Sequence, residues 1–363
     1  MQTQIRVACV GTGYFSRFQY RAWKRIPEVD LVAVCNRTRS RADAFSAEFG
    51  IPHVHTDVGL MLRDAKPDLL DVITPPETHL SVIQAAAATR TDVICQKPFC
   101  TTLGEAREAT SIAEAAGIRL IIHENFRFQP WYKVIKQILE DGRLGRVFQA
   151  TFRLRPGDGQ GPDAYRDRQP YFREMPRFLI HETAIHLIDV FRYLFGEVET
   201  VTALLRRLNP VVAGEDSGLF VLDMVTGVRC VFDGNRLSDH AAANRRLTMG
   251  EMLVEGEKGV LSLNGDGTLK FRMHGESATE IIPYEWHDVD FGGDCVYLLQ
   301  RHVIDRFSNG QVDNTARDYL ANIEIEEAVY GSNDSGCCVK LRRGRQTDGD
   351  GASLSRAQAV DPG

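Results

Sequence analysis

The chain has 363 residues, with 43 Lys and Arg against 49 Asp and Glu (net charge −6), 43% hydrophobic and 25% charged residues. This length suits two domains with cores of their own and excludes a disordered chain, a fibrous repeat and a disulfide-stapled miniprotein. The mildly acidic balance speaks against coating nucleic acid, and no apolar run reaches the ~18 residues of a membrane span, so neither nucleic acid nor membrane is expected as a partner.

Residues 1–4 are polar and lead straight into a strand-like run, which is not the pattern of a signal peptide. Cys9, Cys35 and Cys95 sit in or beside apolar runs, no Cys-x-x-Cys pair occurs, and Cys337 and Cys338 are adjacent. Reduced thiols and a cytoplasmic location are therefore expected.

The first ~125 residues alternate short unbroken apolar runs with helical stretches. The strands are predicted at 5–10, 31–35, 52–55, 69–73, 92–95 and 119–123, and the helices at 15–25, 39–49, 58–64, 79–88 and 103–116, with Gly50 and Gly117 as stops. Apolar strands without alternation, separated by helices, indicate a parallel sheet covered on both faces, hence a doubly wound α/β Rossmann domain over 1–125. The pattern then changes. A helix at 131–140 and an alternating strand at 146–155 precede a loop, 155–162, in which five of eight residues are Gly or Pro. One helix is predicted over 180–195. Strands separated by turn signals follow at 198–206, 218–225, 228–233, 247–255, 259–264 and 268–273, then helices near 295–307 and 316–332. Turn-linked strands mean an open, mainly antiparallel sheet, so 126–341 is predicted as a second, α+β domain for substrate binding and oligomerisation. The tail 342–363 is poor in large apolar residues and is expected to be disordered.

The chemistry concentrates at strand ends. Gly11, Thr12, Gly13, Tyr14 and Phe15 follow the first strand and open a helix, as a dinucleotide fingerprint does. Gly11 allows the tight turn, Gly13 a close approach to pyrophosphate, and Ser16 replaces the third glycine. Asn36 ends the second strand where an acidic residue would bind ribose and repel a 2′-phosphate. Arg37 beside it would pair with such a phosphate, stack on adenine, or be a solvated surface residue, so NAD and NADP both remain open. Thr74, Pro75 and His79 follow the 69–73 strand, and His79 either caps the next helix or lines the cofactor site. Gln96 and Lys97 follow the fourth long strand, and Lys97, one of only eight lysines, would project into the crevice as a hydrogen-bond donor or proton relay. Glu182 and His186 lie i, i+4 on the predicted 180–195 helix, a tunable acid/base pair. His181 adds a third possible ligand, but it lies five residues from His186 and the His-Glu-x-x-His spacing is lacking, so no metal is expected. A structural His186 packed near Asp189 is the competing reading.

These motifs in this order, with the Asn125-Phe-Arg127-Phe128-Gln-Pro130 segment, resemble the Gfo/Idh/MocA oxidoreductases over about 4–341. The resemblance implies that His186 is the base, Lys97 the oxygen ligand and relay, Glu182 the orienting carboxylate, and Asn125 a contact near the nicotinamide ribose or carboxamide. It also implies a homodimer or homotetramer through the C-terminal sheet. Gln96 stands where Glu is usual, and Glu182 where Asp is common. The Gln-Lys-Pro variant and the 155–162 loop are similar to sugar dehydrogenases acting on aldoses such as D-apiose. The loop fits a flexible cover over a small sugar or polyol, with Arg155, Asp158, Gln160, Tyr165, Arg166 and Arg168 as candidate hydroxyl contacts; Asn235, Arg236, His240 and Asn244 form a second polar cluster. The expected activity is oxidation of a sugar or polyol hydroxyl with NAD or NADP. A glycoside hydrolase that oxidises its substrate transiently and a non-catalytic cofactor-binding protein are the rivals.

Overall fold

The computed structural model describes residues 4–308 and 310–341, so the tail expected to be disordered lies outside the described residues. Two compact units are present. One comprises the residues up to Phe128 together with Asp288–Ala321; the other comprises Gln129–His287 and the residues from Asn322 onward. No helix among the described residues is long and apolar enough to cross a membrane.

The first unit runs β1 (Ile5–Val10), α1 (Ser16–Lys24), β2 (Val29–Cys35), α2 (Arg39–Phe49), β3 (His53–His55), α3 (Val58–Ala65), β4 (Leu69–Val72), α4 (His79–Thr89), β5 (Asp92–Gln96), α5 (Leu103–Ala116) and β6 (Leu120–His123). All pairs are parallel, in the order β3-β2-β1-β4-β5-β6. Strand order reverses between β1 and β4, which opens a crevice at the carboxyl ends of these strands. The unbroken apolar runs read from the sequence are buried on both faces, completely so in β4 and β6. Gly50 and Gly117 end their helices in the left-handed conformation, as expected.

The expected contiguous boundary at 125 is not what the structure draws. The helix Cys295–Asp305 returns to the first unit, where Cys295, Val296, Leu299 and Val303 join the core built on Tyr20, Trp23, Phe45 and Leu69. Arg25 makes a two-pronged pair with Asp294 at 2.7 and 2.6 Å at the start of that helix. Amphipathic helices carry no mark in their own sequence of the unit on which they pack.

The second unit holds α6 (Pro130–Glu140), β7 (Val147–Leu154), α7 (Ile185–Phe195), β8 (Val198–Arg206), β9 (Ser217–Met224), β10 (Arg229–Asn235), β11 (Gly250–Gly256), β12 (Gly259–Leu263), β13 (Leu269–Met273), β14 (Glu280–Ile282) and β15 (Val339–Lys340). The Cys295–Asp305 helix is α8, and α9 (Ala316–Ser335) begins in the first unit and continues into the second. The nine-stranded sheet has the order β14-β13-β12-β11-β7-β10-β9-β8-β15 and is antiparallel except for β7 beside β10. The short edge strands β14 and β15 carry no alternation long enough to announce them in the sequence.

The predicted helix 180–195 is two structures. Leu179–Ala184 forms wide π turns, and the α-helix starts only at Ile185. Three contacts fix the wide turn. The Glu215 carboxylate accepts from the Phe178 and Ile180 N–H groups at 3.1 and 3.0 Å, and the Glu215 carbonyl accepts from Leu179 N at 2.9 Å. Gly234 and Gly218 pair across β10 and β9, and Leu179 lies over both. A Cβ at Gly234 would come within 3.0 Å of Leu179 Cδ2.

Candidate active site

At the crevice of the first unit, Gly11 closes β1 with φ of +110°, and a Cβ there would lie 2.5 Å from the Ile73 carbonyl oxygen at the end of β4. No L side chain fits, so glycine at this position follows from the backbone. Gly13 has open space where a Cβ would point, the clearance a pyrophosphate needs. Ser16 Oγ donates to the Gly13 carbonyl at 2.6 Å and Tyr20 OH to that of Gly11 at 3.1 Å, which ties the loop to α1. Tyr14 is half-exposed, whereas Phe15 is partly buried and packs on Phe18 and Phe291 against the core.

The other expected positions also lie at carboxyl ends. Asn36, after β2, donates to Thr12 Oγ1 and accepts from Thr38 N at 3.0 Å, so it braces the glycine loop; Arg37 is exposed. Thr74 accepts from Thr78 Oγ1 at 2.7 Å. His79 turns inward, with Nε2 2.8 Å from the Thr74 carbonyl, and burial lowers its pKa below the usual imidazole value. It therefore clamps the Thr74–Pro75 loop as a neutral ring. Gln96 Oε1 accepts from Lys97 N at 2.9 Å, and Lys97 is half-buried directly after β5, preceding a cis peptide to Pro98. After β6, Asn125 is buried, and its Nδ2 has no partner among the described residues. A buried amide donor left over at this strand end fits a cofactor carboxamide or ribose oxygen. Glu124 was not singled out by sequence. It is fully buried, its carboxylate accepting from Phe126 N at 3.2 Å and Tyr319 OH at 3.3 Å.

In the second unit, His186 is buried in the first turn of α7 and Glu182 is half-buried in the wide turn before it. The i, i+4 relation of an α-helix therefore does not apply to this pair, because a π turn advances by a different angle per residue. His181 faces Glu326 of α9 at 2.7 Å.

The 155–169 loop is tied down rather than loose. Arg155 bonds the Asp233 carboxylate at 2.5 Å and the carbonyls of Leu154 and Asp233 at 2.8 and 2.6 Å. Gln160 Nε2 donates to the Leu237 carbonyl at 2.6 Å, and the exposed Arg166 pairs with Asp163. Asp158 accepts from Arg168 at 3.2 Å and from Arg236 at 2.7 Å, and Tyr165 OH accepts from Arg236 Nε at 2.9 Å. Of the second polar cluster, Asn235 and Asn244 accept from Leu237 N and Arg246 N at 2.9 and 3.1 Å, as turn residues do. His240 Nδ1 lies 2.7 Å from the Arg155 carbonyl oxygen. Arg236 is completely buried. Burial works against its charge, but Asp158, Tyr165 and Glu182 together outweigh burial and hold it protonated. Tyr171 is pushed up to about 12 by burial and by the Glu182 charge.

Residues 5–124 match the family model described as "Oxidoreductase family, NAD-binding Rossmann fold", and residues 132–262 match the GFO/IDH/MocA C-terminal domain. The chain belongs to the Gfo/Idh/MocA oxidoreductases. A D-apiose dehydrogenase of Paraburkholderia graminis is 33% identical over 93% of this chain and 90% of its own length. A second D-apiose dehydrogenase, of Rhizobium rhizogenes, is 30% identical over 93% of this chain and 98% of its own. The crystal structure of an oxidoreductase from Agrobacterium radiobacter, in complex with NAD+, L-tartaric acid and magnesium, superposes with a TM-score of 0.85 at 28% identity, over 93% of this chain and 98% of that one. As a Gfo/Idh/MocA protein the chain is an oxidoreductase with an NAD-binding first domain, and the glycine loop, its clearance at Gly13 and the spare Asn125 amide fit that cofactor.

Proposed function

We propose that the protein is an NAD-dependent dehydrogenase that oxidises a CH–OH group of a small sugar or polyol, an aldose such as D-apiose going to its lactone being the first candidate. The observation that carries this reading is Lys97, held half-buried at the carboxyl end of β5 in a chain so similar to two D-apiose dehydrogenases. NAD supplies the acceptor for the two electrons leaving the carbinol carbon. The ammonium of Lys97 donates to the substrate oxygen and polarises it. His186 takes the hydroxyl proton, and Glu182 orients the exchange. Among the loop residues, Asp158 and Arg168 keep part of their side chains exposed and are the ones proposed to meet sugar hydroxyls, while Arg155 and Tyr165 shape the loop. Gln96 in place of a glutamate leaves no carboxylate beside Lys97 in sequence, and its amide instead fixes the Lys97 backbone.

All eight cysteines are free thiols, six of them buried, which supports a reducing, cytoplasmic setting. The outer face of the second sheet carries exposed Leu204 beside Leu219, and a row in which Val221, Val231, Thr151 and Leu253 are register neighbours. An apolar band of this kind rimmed by Asp223, Arg229, Glu255 and Arg272 supports pairing with a second copy.

The test is reduction of NAD+ and NADP+, assayed in parallel by the near-ultraviolet absorbance of the reduced nicotinamide, over aldoses, inositols and sugar acids. Turnover of an aldose with NAD+ is expected. Tight NADH binding without turnover of any sugar would overturn the dehydrogenase reading in favour of a redox-assisted hydrolase or a non-catalytic binder.

A further inference from the structure

Arg236 follows β10, and its sequence neighbourhood reads as a polar cluster for hydroxyl groups, yet the residue is 1% exposed and its guanidinium is spent inside the protein. Nη2 donates to Asp158 Oδ2 at 2.7 Å, and Nε is shared between Asp158 Oδ1 at 3.2 Å and Tyr165 OH at 2.9 Å. The rings of Tyr165, Phe172 and Phe178 lie 5.3, 5.2 and 4.6 Å from its central carbon. The remaining terminal nitrogen, Nη1, donates to Thr183 Oγ1 at 2.7 Å. Thr183 is itself buried in the wide turn, and its hydroxyl donates to Glu182 Oε2 at 3.2 Å.

The direction of this chain follows from the chemistry of its members. A guanidinium is donor only, so the Thr183 oxygen must accept from it, and the single hydroxyl proton is left to point at the carboxylate. We propose that Arg236 and Thr183 are positioning residues for Glu182. The relay Arg236→Thr183→Glu182 fixes the orientation of that carboxylate and favours its charged form, so the buried cation acts on the reaction without touching the sugar. Among the groups near Glu182 is Tyr171, whose hydroxyl senses Glu182, Arg168 and Arg236 together, and Asp158 balances Arg236. The catalytic consequence rests on the role of Glu182 proposed above; the relay itself does not.

Thr183→Val removes the hydroxyl at nearly constant shape, and Thr183→Ser keeps it. Two readouts apply to the full-length protein. The first is the titration of Glu182, followed by carbon-13 NMR of carboxyl-labelled glutamate and assigned with Glu182→Gln. The second is sugar-dependent NAD+ reduction. Loss of a donor to the charged form is expected to raise the Glu182 midpoint by about one pH unit in Thr183→Val and leave it in place in Thr183→Ser. The kcat of Thr183→Val is expected to fall about tenfold with KM and NADH affinity nearly unchanged, and Thr183→Ser to restore it. An unmoved midpoint in Thr183→Val, or an equal change in Thr183→Ser, overturns the relay. Failure of wild-type protein to reduce NAD+ with any sugar would instead strike the functional reading, and the titration would still decide the relay.

Discussion

Asp71 lies in the middle of β4, fully buried beneath the cofactor crevice, and faces α1, the helix that opens at the glycine loop. Trp23 Nε1 donates to its Oδ2 at 2.7 Å and Gln19 Nε2 approaches Oδ1 at 3.4 Å. Burial pushes the carboxyl up to about 7, against the lesser opposing pull of the Trp23 hydrogen bond. The folded pKa is thus raised above the unfolded one. Below about pH 4 both states hold the proton and the site costs nothing that depends on pH. Between about pH 4 and 7 the unfolded chain releases the proton while the folded chain keeps it, and stability falls by about 1.4 kcal/mol per pH unit. Above about pH 7 both states are ionised and a penalty of about 4 kcal/mol has accumulated. Asp71→Asn removes the titration. The new amide oxygen would accept from Trp23, and its NH2 would find Gln19 Oε1, which has no partner among the described residues, once the Gln19 amide flips. Urea unfolding of wild type and variant across this pH range is the assay, and the difference between the two cancels every other titrating group. The variant is expected to gain on wild type by about 2 kcal/mol between about pH 5 and 7. A stability difference that stays constant over that interval would refute the reasoning.

Three other outcomes follow from the same geometry. Gly11→Ala forces a side chain onto φ of +110° and to 2.5 Å from a carbonyl oxygen, so about 2 kcal/mol of strain is expected, read as a lower thermal midpoint and about tenfold weaker NADH binding by fluorescence titration. Lys97→Ala is expected to lower kcat about 100-fold while NADH affinity stays within about twofold, measured by steady-state kinetics and the same titration. Leu204→Glu combined with Leu219→Glu is expected to shift the protein to a monomer in light scattering with its thermal midpoint nearly unchanged, since both side chains are exposed on the outer sheet face.

The first domain was legible because two local signals coincide with its global arrangement. Strands buried on both faces write themselves as unbroken apolar runs, and a parallel sheet puts the residue after each strand at the same edge. Gly11, Asn36, Thr74 and Lys97 could thus be placed at one crevice from their positions alone, whereas Asn125 was marked only by the family resemblance. What could not be read is where the later helix α8 packs, because its apolar stripe suits either unit. Nor could Glu124 be distinguished, because a buried carboxylate is recognised by the donors that meet it, the Tyr319 hydroxyl and Phe126 amide among them.

The wide turn at Leu179–Ala184 shows a different limit. Its sequence reads as the start of an ordinary amphipathic helix, and local propensity alone would continue α7 back through it. The deviation is imposed from a distance by Glu215, which occupies the first free N–H groups, and by Gly218 and Gly234, which let Leu179 settle onto β9 and β10. Arg236 then holds Thr183 from the other side. Each of these residues looks unremarkable in its own segment, and the segments are joined only in the folded sheet. A turn with so many distant supports carries backbone geometry that a plain helix would not tolerate, and wide turns of this kind gather at functional sites for that reason. Here it delivers Glu182 and His186 on two different helical geometries, so their four-residue spacing describes their order in the chain and not their relation in space.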